Sequence, residues 1–238
     1  MKDSLIEHRS KSKFVVEIRH EPMLDLFDRK GEIIKTLHPA IKPEFKHWKV
    51  QSNDISFLDS LDNPLDIAFA ELKRFGIGFE SGRSLVKFKN YFKKFLYPAY
   101  EKFYKKIDTA QRIGFRLLSV LNKTQEEDFE TINSNIIEKF FQKLPISATP
   151  IDTRIHIVID NGYYLLGPIS KERHEEWVYT HFRNTIIEQD GYGIDIDAYV
   201  TDVDISSFDK FENTVLSVMD LARSIEEQLA LHLEIISK

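Results

Sequence analysis

Residues 191–205, "GYGIDIDAYVTDVDI", place Asp195, Asp197, Asp202 and Asp204, four candidate acid or metal-ligand side chains, within ten positions. As a strand, this stretch puts Ile194, Ile196 and Ala198 on one face and Asp195, Asp197 and Tyr199 on the other. Two carboxylates two residues apart could share a divalent cation if a neighbouring strand supplied further oxygens. The same alternation is what a half-exposed strand requires, and that is the commoner origin. Asp202 and Asp204 follow the break in alternation and are expected in the turn before a helix, where acids favour its positive end.

Arginines are the next candidates. Arg112 and Arg116 share one face of "RIGFRLLSVL" (112–121), and Arg154 and His156 one face of "IDTRIHIVID" (151–160). If these strands and 192–200 share a sheet, its outer face mixes Arg, His and Asp. That makes either cross-strand ion pairs or a groove for an anionic ligand, with Arg112, Arg116, Arg154, Asp195 and Asp197 as its binding residues.

Two further patterns point toward nucleic acid. "KFKNYFKKFLYPAYEKFYKK" (87–106) interleaves lysines with aromatics, so Lys93, Lys94, Lys105 and Lys106 could follow phosphates while rings stack on bases. Its phenylalanines also fit a buried stripe, which leaves a lysine-rich solvated face as the alternative. "DIAFAELKRF" (66–75) has the outline of a metal-dependent nuclease, an acid such as Asp66 followed by Glu71-x-Lys73. Glu-x-Lys is common by chance. No phosphate loop, dinucleotide fingerprint or Gly-x-Ser-x-Gly elbow occurs, and the eight histidines include no His-x3-His pair, so no metal or other cofactor is expected.

The elements that must position these residues read as follows. "FVVEIRHE" (14–21) alternates as a strand, with Phe14, Val16 and Ile18 opposite Val15, Glu17 and Arg19. Pro22 opens a helix carrying Leu24, Phe27, Ile34 and Leu37, which Pro39 and Pro43 end. Two extended stretches (47–60 and 66–81) flank the turn "DNP" at 62–64. A long helix follows from about Ser84, with a kink or break expected near Tyr97 because of Pro98. After the strand at 112–121, "TQEE" (124–127) has the form of a capping box for a helix running to about Leu144. "NG" at 161–162 marks a hairpin, and "EEWVYTHFRN" (175–184) reads equally as strand or helix. Phe208, Phe211, Val215, Val218, Ala222, Ile225, Leu229 and Ile236 form the seam of a closing helix about 45 Å long, with Ser206 and Asp209 at its capping-box start and His232 at one polar seam position.

Strand, helix, strands, long helix therefore occurs twice. The expectation is an α+β fold, with an antiparallel sheet or two related sheets carrying long helices on one face and an internal duplication of a β-α-β-β-α unit. Residues 1–13 are expected to be a loose N-terminus, with 14–110 and 111–238 as two halves of one compact unit.

A length of 238 residues with 42% hydrophobic and 30% charged content excludes a wholly disordered chain. A net charge of −5 argues against bulk nucleic-acid affinity but leaves room for a local basic patch. The absence of cysteine removes disulfides, thiol nucleophiles and Cys-ligated zinc, and suits a reducing cytoplasm. No stretch reaches 18 consecutive apolar residues and the first 13 residues lack a signal-peptide core, so a cytoplasmic protein with no membrane partner is expected.

Four places, the "VVEIR" strand (15–19), "RIGFRLLSVLN" (112–122), "GIDIDAYV" (193–200) and the closing amphipathic helix, together resemble an uncharacterised prokaryotic family described only as sporadically distributed. The likeness covers about 14–236 and brings no catalytic residues with it. Patchy distribution of that kind implies a link to mobile or defence genes. The leading expectation is a non-enzymatic cytoplasmic binding or assembly module that meets a protein partner, or a second copy of itself, through the C-terminal helix. The alternatives are a metal-dependent nuclease or other phosphoryl-transfer enzyme, and a single-strand or RNA-binding protein.

Overall fold

The computed structural model describes residues 3–24, 28–123, 127–141, 153–172, 182–183 and 186–237. Their strands form one antiparallel sheet: β1 (Arg9–Arg19), β2 (His47–Val50), β3 (Asp54–Leu58), β4 (Ile67–Glu71), β5 (Arg74–Phe79), β6 (Thr109–Leu121), β7 (Ile155–Ile159), β8 (Gly162–Ile169) and β9 (Gly191–Asp204). The spatial order is β2-β3-β4-β5-β1-β6-β9-β8-β7. The two long strands β1 and β6 thus stand together at the centre, and each half of the sheet fans outward from one of them. The helices are α1 (Lys30–Ile41), α2 (Leu85–Ala99), α3 (Phe129–Phe140) and α4 (Phe208–His232). This is the α+β architecture expected.

All four helices contribute to a single apolar cluster with one face of the sheet. The register explains why. Phe14 pairs with Phe79 on one side and Leu117 on the other, and Leu117 in turn pairs with Ile196. The period-two alternation of each strand therefore sums into one continuous apolar face. Aromatic rings fill it: Phe14 lies between Phe79, Phe88 and Phe115 at centroid distances of 5.7–6.5 Å. The opposite sheet face carries no helix among the described residues.

Several local expectations are revised. The first strand begins at Arg9 rather than Phe14, and Leu5 and Arg9 are fully buried, so the start of the chain is part of the fold. Arg9 donates to Glu226 on α4 (Nε–Oε1 3.0 Å, Nη2–Oε2 2.6 Å), to both Asp3 oxygens at 2.8 Å, and to the Arg83 carbonyl. Asp3 also accepts the Leu85 N–H at the start of α2. Charged residues there looked loose because a buried ion pair has no apolar periodicity to announce it.

Helix α1 starts at Lys30, passes through Pro39 and ends at Ile41, held by the buried Ile33, Leu37 and Ile41; Leu24 is exposed and Phe27 lies outside the described residues. Pro98 does not break α2 at Tyr97. The helix runs to Ala99 and then widens into a π turn at 100–104, where the Lys105 N–H reaches the Tyr100 carbonyl. Asp128 caps α3, while Thr124, Gln125 and Glu126 of "TQEE" lie outside the described residues; Ser207, not Ser206, caps α4. The strand-or-helix stretch 175–184 falls outside the described residues except for Phe182 and Arg183.

His20, at the end of β1, is completely buried. Its Nδ1–H donates to the Glu21 carbonyl at 2.7 Å, and its Nε2 faces the Tyr104 hydroxyl at 3.3 Å. A neutral ring satisfies both contacts, and burial holds the imidazole below its ordinary value of 6.5.

Two outcomes are expected. Glu226→Leu alone should cost up to about 3 kcal/mol in chemical denaturation, because it leaves the buried Arg9 charge with Asp3 as its one carboxylate partner among the described residues, and Arg9→Met with Glu226→Leu and Asp3→Asn should recover most of that loss. His20 binds its proton more readily unfolded than folded, so its contribution is complete above the ordinary histidine range and is lost as pH falls through it. The urea midpoint should therefore drop below pH 6.5, and His20→Asn should flatten that part of the profile; an unchanged slope would place the titration elsewhere.

Candidate functional site: a charged trough on the open sheet face

The helix-free face is built by the same alternation, read on its other phase. β1 presents Lys13, Val15, Glu17 and Arg19; β6 presents Arg112, Gly114, Arg116 and Leu118; β9 presents Asp195, Asp197 and Tyr199. Across these strands the register is Arg19–Arg112–Thr201, then Glu17–Gly114–Tyr199, Val15–Arg116–Asp197 and Lys13–Leu118–Asp195. Together the β1 and β6 residues and Asp197 line a trough of about 300 Å³.

The ion pairs are shifted along this ladder. Asp197 stands opposite Arg116 but is bound by Arg112 (Nη2 to Oδ1 2.8 Å, to Oδ2 2.7 Å). Arg116 instead reaches Asp195 (Nε–Oδ1 2.9 Å, Nη2–Oδ2 2.6 Å), which is wholly buried beneath it. Gly114 makes the shift possible: Arg112 lies flat over it, and a Cβ there would stand 3.3 Å from Arg112 Cζ. On its other side the guanidinium stacks on Tyr199, 4.5 Å from the ring centroid. The bond from Asp195 holds Arg116 above the ordinary arginine value.

A second chain of charges crosses the β1 side. Glu17 accepts from Arg19 Nε at 2.6 Å and from Arg74 Nη1 at 2.7 Å, and Arg74 also binds Glu71 at 2.7 and 3.0 Å. Burial works to raise Glu17, but the two arginine bonds outweigh it and keep the carboxylate below its ordinary value. At the far end Lys11 and Lys13 approach Glu80 at 4.0 and 3.6 Å, both lysines lowered chiefly by burial. Beyond the trough's Leu118, Phe182 packs with Leu118, Val120 and Ile169.

Of the residues anticipated, the structure brings Arg112, Arg116, Asp195 and Asp197 together. Arg154 lies beside Gly167 just before β7, two strands beyond β9. Asp202 and Asp204 belong to the end of β9 rather than a turn; Asp202 adopts φ 53°, and Asp204 pairs with Lys210. Asp66 and Glu71 bracket β4 and do not converge. Asp66 accepts the Glu80 and Ser81 N–H groups and the Ser81 hydroxyl, Glu71 is bound to Arg74, and Lys73 lies exposed in the β4–β5 turn. Among the described residues no three His, Asp or Glu side chains are placed to hold a metal.

The lysine helix turns its phenylalanines and two of its tyrosines inward. Lys93, Lys94 and Lys105 pair with Glu212, Glu44 and Glu101, and Lys106 is exposed. The apolar seam of α4 is covered by the chain's own sheet: Phe211, Val215, Val218, Ala222 and Leu229 are all buried, so the seam is not an exposed association surface. Sequence reading overlooked Lys13, Glu17, Arg19 and Arg74. The signal was present in "VVEIR", whose outward positions alternate in phase with those of 112–118, but only the β1–β6 neighbourhood makes them one site.

No family model matches the chain, and no curated protein matches it. No helix among the described residues is long and apolar enough to cross a membrane.

The role of Gly114 can be measured. A double-mutant cycle on Arg112→Met and Asp197→Leu should give a coupling of about 0.5–1 kcal/mol, and the same cycle in a Gly114→Val background should fall close to zero. Equal coupling in both backgrounds would show that the guanidinium does not need the bare glycine.

Proposed function

We propose that the protein is a non-enzymatic cytoplasmic binding module that recognises a polypeptide partner on the helix-free face of its sheet. The observation that carries this reading is the trough itself, where cations and carboxylates interleave rung by rung. A nucleic acid laid there would meet Glu17 and Asp197 as well as the arginines, and a polycation would meet the reverse. A polypeptide presenting both signs meets neither penalty, and complementary charge selects its register. The trough's carboxylates are occupied as acceptors and Glu17 is held ionised, which favours fixed recognition over proton transfer.

Nuclease and single-strand readings draw less support. Glu71 is committed to Arg74, and three of the four lysines singled out on the α2 side are matched by the chain's own acids.

A photo-crosslinking residue at Val15, on the trough, and another at Lys93, on the helical side, test the proposal in the source cell. Adducts at Val15 but not at Lys93 are expected. They should be destroyed by protease, resist nuclease, and weaken when salt is raised from about 0.1 to about 0.5 M. Nuclease-sensitive adducts, labelling at Lys93 alone, or no adduct at either position would overturn it.

A further inference from the structure

Arg19 and Arg112 stand directly opposite each other across the β1–β6 ladder. Like charges in direct register destabilise a strand pair, so this rung carries a cost that the chain's own carboxylates do not remove from between the two side chains. Both instead lean toward the next rung. Arg19 Nε bonds Glu17, and Arg112 lies over Gly114, the residue facing Glu17. Their guanidinium groups thus share one level of the trough.

Each is anchored by one edge only. Among the described residues Arg19 uses Nε alone and Arg112 uses Nη2 alone, which leaves Nη1 and Nη2 of Arg19 and Nε and Nη1 of Arg112 as donors with no protein acceptor. Stacking on Tyr199 and contact with Gly114 fix the plane of Arg112, whereas the Arg19 side chain is 52% exposed and free to adjust. One rigid fork beside one adjustable fork is an arrangement suited to a small planar anion.

The local charge decides which anion. Arg19, Arg74 and Arg112 are balanced by Glu17, Glu71 and Asp197. This end therefore offers unused N–H groups rather than excess positive charge. A monoanion takes those donors with one unit of repulsion from Glu17 and Asp197, and a phosphate dianion takes them with twice that.

We propose that Arg19 and Arg112 form a carboxylate site at the open end of the trough, which receives an aspartate or glutamate side chain of the polypeptide partner. This rests on the recognition role assigned to the trough, and it names the anchoring contact. The site sits on the rung where two arginines face each other, so an incoming carboxylate would bridge two cations whose own acidic partners stand on other rungs.

The full chain, titrated with the capped tripeptide Ac-Ala-Glu-Ala-NH2 and followed through the arginine Nε–H resonances, tests the site. Saturable shifts at Arg112 and Arg19 are expected. Binding of the glutamine tripeptide or of inorganic phosphate should be weaker by about fivefold or more. Arg19→Lys, which keeps the charge and removes the fork, should weaken the glutamate peptide similarly while leaving Tm unchanged. Equal shifts from the glutamine peptide, or none that saturate, would overturn the site. Phosphate binding as tightly as the glutamate peptide would overturn the carboxylate assignment in favour of a phosphorylated ligand. A failed titration with successful crosslinking at Val15 removes only this contact; failure at Val15 removes the recognition role itself.

Discussion

Among the described residues helices cover one side of a wide sheet, while on the other a small apolar patch of Leu118, Val120, Ile169 and Phe182 gives way to charged side chains, and most of this molecule follows from how that second side is filled. The covered side is solved by apolar alternation, with Phe14, Ile77, Phe115 and Ile196 forming one surface against α1–α4. The uncovered side cannot be solved by polar residues alone, because a bare antiparallel face invites stacking with another. The chain fills it with long charged side chains laid flat and tied to one another, and glycines make room for them. Arg112 lies over Gly114, and the ring of Phe69 lies so close over Gly76 that a Cβ there would meet it at 2.8 Å. Arg74 in turn lies over Phe69, 5.3 Å from its centroid.

The central strands also account for how the two ends of the chain meet. β1 and β6 are 11 and 13 residues long, and everything else is added outward from them. Such a seam needs something to hold the helical layer in register with it. The buried Arg9–Glu226 pair does this, joining the first residue of β1 to α4, while Asp3 on the same guanidinium takes the first N–H of α2. Replacing such a pair with apolar residues of similar volume is often neutral or better for stability. Its value lies in geometry: a guanidinium with fixed acceptors accepts one placement of three elements, whereas an apolar contact would tolerate sliding.

How much of this was legible follows the same division. Where side chains alternate between the two faces of a strand, the sequence could be read correctly for which residues share a face, as for Ile113, Phe115 and Leu117 against Arg112, Gly114 and Arg116, or Asp195 and Asp197 against Ile194 and Ile196. It could not be read for exposure: Asp195, expected on a half-exposed face, is as fully buried as Ile194 and Ile196 because Arg116 covers it. The hairpin signalled by Asn161–Gly162 is present one residue earlier, turning at Asp160–Asn161 between the paired Ile159 and Gly162, and Gly162 takes φ 153° where a Cβ would strike the Asp197 carbonyl. Contacts set by charge were not legible. Nothing local tells that Arg9 is buried, or that Asp3 completes a site 82 residues away at Leu85. The candidate site was half visible for that reason. Its β6 and β9 members were picked out by type, but β1 reads as an ordinary strand until its position beside β6 is known.

The rungs of the trough differ in how readily they could exchange partners. Asp195 is fully buried under Arg116, so separating them would leave a desolvated carboxylate without its cation, and that rung acts as a fixed frame. Arg19 and Arg74 are 52% and 44% exposed, and exposed pairs of this kind contribute about 0–1 kcal/mol. Trading one of their bonds for a bond to a partner therefore costs little. A surface with a rigid row on β6 and β9 and an exchangeable row on β1 and β5 can keep its shape while it accepts new acceptors. That combination fits the proposed recognition role: the pairing fixes the charged side chains of the trough, and its exposed half is the part that a partner's carboxylate would exchange with.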